Sequence, residues 1–96
     1  MALGEWRFKP FTTAGARGCQ WAPALPHPPR VFIEMYNDDL PDTYWIVTRK
    51  DPLTGIIITR GRGKTISGPF PDLASAKAAF EILQAFGALD RYTYPP

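Results

Sequence analysis

Two chemically useful residue types are almost missing from this chain, which has one cysteine, Cys19, and one histidine, His27. A single thiol excludes an internal disulfide, and unpaired cysteine usage suits a cytoplasmic setting. Cys19 and His27 are also the only thiol and imidazole from which a nucleophilic pair could be built, with Asp38, Asp39 or Asp42 as an orienting carboxylate. Both lie in the least patterned part of the chain with no nucleophile motif around them, so a non-enzymatic protein is expected. Long hydrophobic runs are absent too: none approaches the ~18 residues of a membrane span. The start, Met-Ala-Leu-Gly-Glu-Trp-Arg, lacks the basic opening and apolar middle of a signal peptide. Strong charge of either sign is missing. At a net +2, a nucleic-acid footprint must come from local clustering, and mimicry of a nucleic acid would need dense negative charge.

What is present suits one globular domain spanning residues 1–96. A 45% hydrophobic share and 14% aromatic content argue against wholesale disorder, and 96 residues can bury a modest core. The organising stretch runs from residue 43 to 87. It holds two β-branched runs, Tyr44-Trp45-Ile46-Val47-Thr48 and Ile56-Ile57-Ile58-Thr59, and a short third around Thr65-Ile66-Ser67. Asp51-Pro52-Leu53-Thr54-Gly55 and Gly61-Arg62-Gly63 are the turns between them. Large residues on both faces of 43–49 and 56–58 predict a central hairpin of the sheet.

A helix over 73–86, within a segment 72–87, closes the stretch. Asp72 is a good N-cap and Gly87 a natural stop. Ala76, Ala79, Phe80, Leu83 and Phe86 share one stripe, predicted to be core, flanked by Leu73 and Ile82. The whole predicts an α+β fold: an antiparallel meander of four to five strands packed on one C-terminal helix.

Ahead of this stretch, Trp6-Arg7-Phe8-Lys9-Pro10-Phe11 alternates ring and cation as a half-buried strand does. Pro10, lacking an amide hydrogen, predicts that this strand is short or at an edge. Residues 12–30 contain glycine and proline clusters without periodicity and read as a long surface loop pinned by Trp21. Pro23, Pro26, Pro28 and Pro29 favour extended geometry there, most simply a stiff connector. Val31, Ile33 and Met35 then form one face of a strand, with Phe32, Glu34 and Tyr36 on the other, so strands are expected across 31–67. Asp38, Asp39 and Asp42 fall in the following turn without the spacing of a calcium loop, so no metal and no cofactor are expected. The tail, 88–96, carries Tyr92 and Tyr94.

Arg60-Gly61-Arg62-Gly63-Lys64-Thr65 is the most suggestive chemical string. Its Gly-Lys-Thr ending is not a P-loop, because Ile58 stands where the first glycine is needed and no helix follows the lysine. What remains is a glycine-rich hairpin whose three cations, in an extended strand, would share a face, with Arg49 and Lys50 nearby.

From Tyr44 to Phe86, the Trp-bearing strand, Arg60 and Arg62 on a hairpin, and Gly-Pro-Phe-Pro-Asp-Leu-Ala-Ser-Ala-Lys-Ala-Ala-Phe resemble three-stranded-sheet DNA-binding domains. The likeness is to those of ethylene-response factors and of the arm-binding ends of phage-type integrases. It implies a sheet that enters the major groove and a helix that braces it. Some forty residues ahead of the matching strand depart from that pattern and would cover a face or add strands.

Two functional readings follow. In one, a binding module contacts the DNA or RNA backbone through Arg49, Lys50, Arg60, Arg62 and Lys64. In the other, an accessory or inhibitor protein of a phage or mobile element binds a host protein complex. Its anchors would be exposed aromatics, among them Trp21, Tyr36, Tyr92 and Tyr94.

Overall fold

The computed structural model describes residues 5–24, 30–38 and 42–92. The elements in chain order are β1 (Trp6–Thr13), β2 (Ala16–Pro23), β3 (Val31–Tyr36), β4 (Tyr44–Thr48), β5 (Lys64–Phe70) and α1 (Leu73–Ala85), followed by a single 3-10 turn, Asp90–Tyr92. The five strands form one antiparallel sheet in the order β1-β2-β3-β4-β5, so each pairs with its neighbour in sequence. This is the expected α+β meander backed by one helix. No helix among the described residues is long and apolar enough to cross a membrane.

The core lies between the helix and one face of the sheet. Val31, Ile33, Ile46, Ala76, Phe80 and Leu89 are buried there, and Trp6, Trp21, Tyr44, Phe70, Leu73 and Leu83 pack around them. The small side chain of Ala76 lets the helix approach, and Phe80 fills the space, meeting Trp6 edge-on at 5.1 Å. Asp72 caps the helix by accepting the Ser75 amide at 2.7 Å. Gly87, at φ +73°, takes the left-handed conformation that ends it. Phe86 departs from the expected stripe. It sits at the C-cap, one residue past the helix end at Ala85, with 83% of its surface exposed. Leu89, in the expected tail, is buried in its place.

Three further expectations are corrected. Residues 16–23 are a strand rather than part of a surface loop, matched to β1 from Trp6↔Pro23 to Thr13↔Ala16 and to β3 from Gly18↔Tyr36 to Trp21↔Ile33. Small residues, Ala16, Gly18, Cys19 and Ala22, hide its alternation in the sequence. Gly18 is required there, since a Cβ would collide with the Met35 carbonyl oxygen. Second, the 56–59 run is not a strand. Only Ile57 bridges, to Lys50, because β5 occupies the edge of β4. Third, β3 is therefore the middle of the sheet, with β4 one place from its edge. β1 lies at an edge as Pro10 demands, and Pro69 lies in the other edge strand. His27, Pro26, Pro28, Pro29, Asp39 and Tyr94 lie outside the described residues.

Candidate functional site

Strand register sorts side chains between the two faces. The row Trp21↔Ile33↔Ile46 belongs to the core under the helix. The alternate rows, Lys9↔Gln20↔Glu34↔Trp45 and Phe11↔Gly18↔Tyr36, therefore point away from the helix. The segment 50–63 crosses this second face. It leaves β4 with the Ile58 amide bonded to the Arg49 carbonyl at 2.7 Å and reaches the β1–β2 turn, where the Gly61 amide donates to Ala14 at 2.7 Å.

A buried polar network holds this segment to the sheet. Glu34 is fully buried, and its carboxylate accepts from four donors. Arg49 Nε and Nη2 donate at 3.0 and 2.8 Å, Tyr36 OH at 2.6 Å and Gln20 Nε2 at 3.0 Å. Arg49 Nη1 donates onward to the Gly61 carbonyl at 2.9 Å, and the Gly63 amide donates to Tyr36 OH at 3.1 Å. The guanidinium also lies 5.4 Å from the centre of the Phe11 ring. Burial, and then its hydrogen bond to the Glu34 carboxylate, push the Tyr36 phenol far above the usual tyrosine range. A buried charge persists only when paired and hydrogen-bonded, and every link here meets that condition.

The network changes the place of several expected contact residues. Arg49 is only 7% exposed and is committed to Glu34, so it is a structural cation and not a free phosphate ligand. Tyr36 is 2% exposed and is not a surface anchor. Trp21 is half-buried between Phe8 and Tyr44, and Tyr92 is half-buried against the core, so neither stands out from the surface. The three cations of 60–64 do not share a strand face, because Gly61 turns the chain at φ +66° before β5 begins at Lys64. Arg60 and Lys64 are exposed, and Lys50 is half-buried at its bridge to Ile57. Arg62 is exposed, 4.6 Å from the centre of the Tyr36 ring and 3.0 Å from Asp38. Cys19 is half-buried in β2. Asp42 is exposed at φ +59°.

Between the crossing segment and β1 lies a groove of about 400 Å³. Lys9, Phe11, Gln20, Arg30, Phe32 and Arg49 line it on the sheet side, with Ile57, Ile58 and Thr59 opposite. No carboxylate is among its described lining residues, and Glu34 lies buried beneath Arg49. A second depression, about 420 Å³ beside the β1–β2 turn, mixes Arg17 with Asp38 and has no such bias of charge. Sequence reasoning does not single out Lys9, Phe11, Arg30 and Phe32 as site residues, although period two from Arg7 and Lys9 carries Phe11 onto their face. Glu34 between Phe32 and Tyr36 is the corresponding signal of a buried carboxylate.

The class that fold and site define is a small α+β domain with one helix-covered sheet face and one grooved, cation-lined face. Comparison with family models, with curated proteins and with solved structures finds no match for this chain, which leaves its function to be read from its own residues.

Proposed function

We propose that the chain is a small non-catalytic module that binds nucleic-acid phosphates on the grooved face of its sheet. The observation that supports this is the groove itself, where the cations Lys9 and Arg30 line the same depression as the rings of Phe11 and Phe32. Exposed Arg60 adds a further cation on the segment whose backbone the Arg49 and Tyr36 bonds hold in place, whereas Lys64, opposite Thr48 in the row of Val31, falls on the helix side of the sheet. Phosphate recognition requires donors and positive potential more than a deep pocket, and a fixed backbone lowers the entropy of ordering them.

The test is a salt titration. Neutralising three to five phosphates gives a log-log slope of roughly −3 to −4.5 on duplex and about −2 to −3.5 on a single strand. Changing Lys9 and Arg60 together to alanine flattens the slope by about 1.4 on a single strand and about 1.8 on duplex, with the melting temperature nearly unchanged because both are exposed. Absence of binding to both duplex and single strand at low salt refutes the proposal.

A second reading, a protein-binding accessory module, draws on Ile82 and Phe86. These are one helical turn apart and 58% and 83% exposed. They replace Trp21, Tyr36 and Tyr92 as its anchors. Changing both to alanine abolishes partner capture on that reading and leaves nucleic-acid binding unaltered.

A further inference from the structure

We infer that the groove takes an unpaired strand, with bases stacked on both Phe11 and Phe32 and the neighbouring phosphates held by Lys9 and Arg30. The inference rests on the proposal that this face binds nucleic acid, and it specifies which form.

Shape is the first argument. A duplex major groove is about 12 Å wide and accepts a helix or a two-stranded ribbon. Here the grooved face belongs to a five-stranded sheet in a domain of 32 × 30 × 19 Å, with residues 57–59 raised above that face as one wall. Such a surface does not enter a duplex. A slot of about 400 Å³, by contrast, is on the scale of a single small ligand moiety, in the ~300–1,000 Å³ range of such sites.

Chemistry is the second. Phe11 and Phe32 come from β1 and β3, and each is half-buried, with part of its surface open toward the groove. In a duplex the base faces are already stacked on one another, so only an unpaired strand can use these rings. Lys9 stands two residues before Phe11 on the same face of an extended strand, which puts an exposed ammonium about 7 Å along the strand from that ring, near one nucleotide's reach. The rings bear no hydrogen-bonding groups, so the contact tolerates any base.

The third is rigidity. Arg49 joins Glu34 in the sheet floor to Gly61 in the crossing segment, so floor and wall are connected before a ligand arrives.

The test uses fluorescence anisotropy with a labelled oligothymidylate of about 12 nucleotides, within the ~4–16 that a small single-strand-binding fold occupies. The same oligonucleotide annealed to its complement serves as the duplex. The unpaired strand is expected to bind at least about tenfold more tightly. Phe32→Leu and Phe11→Leu, checked for folding by circular dichroism, each weaken single-strand binding by roughly 5- to 150-fold without changing the salt slope. Lys9→Ala instead lowers the single-strand slope by about 0.7. Equal affinity for duplex and single strand, or phenylalanine variants that fold and bind like the parent, overturns the inference and leaves the phosphate-binding proposal standing. No binding to either ends both. The comparison of strand forms on the parent protein decides the matter even if one leucine variant does not fold.

Discussion

Removing Arg49 strikes the buried polar network at its most heavily bonded point. Glu34 has no exposed surface, and two of its four hydrogen bonds come from the guanidinium, at 3.0 and 2.8 Å. In Arg49→Met the carboxylate keeps only the Tyr36 hydroxyl and the Gln20 amide, both neutral donors. An uncompensated buried charge of this kind costs about 3–5 kcal/mol. A domain of this size has only about 5–15 kcal/mol of stability in total. At ~4–8 °C per kcal/mol, melting falls by about 12–40 °C, enough to leave the variant partly unfolded at ambient temperature. The double variant Glu34→Leu, Arg49→Met removes both charges, while Gly61 keeps the Thr13 hydroxyl at 3.2 Å and Gly63 keeps Tyr36 OH at 3.1 Å. It is expected to recover most of the loss. Urea unfolding followed by tryptophan fluorescence on the four members of this cycle measures the coupling. A loss below about 1 kcal/mol for Arg49→Met, the range of an exposed pair, would refute the reasoning. So would a double variant that loses the sum of the two single losses.

Two further outcomes follow from the same structure. Phe80 is fully buried, so Phe80→Ala is expected to cost about 3–5 kcal/mol by urea titration, and a loss under about 1 kcal/mol would place its ring outside the core. Tyr36 is held in its neutral form by burial and by its bond to Glu34, so its folded-state pKa lies above its unfolded value. Its contribution to stability is therefore complete below about pH 10 and declines as pH rises above that value. Tyr36→Phe is expected to make the alkaline decline in melting temperature shallower, and an unchanged decline would count against the buried phenol.

Local pattern determined much of this protein. The period-two faces of Val31 and Ile33, the helical stripe through Ala76, Phe80 and Leu83, the Asp72 cap, the Gly87 stop and the edge position of Pro10 are all visible in sequence. Each depends on side chains a few residues apart, or on the conformational limits of one residue. Tertiary structure decided the rest. β2 is a strand because β1 and β3 both pair with it, although its own small residues show no alternation. The 56–59 run has the β-branched composition of a strand yet crosses the open face, because β5 already fills the edge of β4. Arg49 has the look of a surface cation beside Lys50. It is buried because register brings it to Glu34, fifteen residues earlier in the chain. A charge's partner is set by which strands are neighbours and how they are aligned, and no window of adjacent residues contains that information.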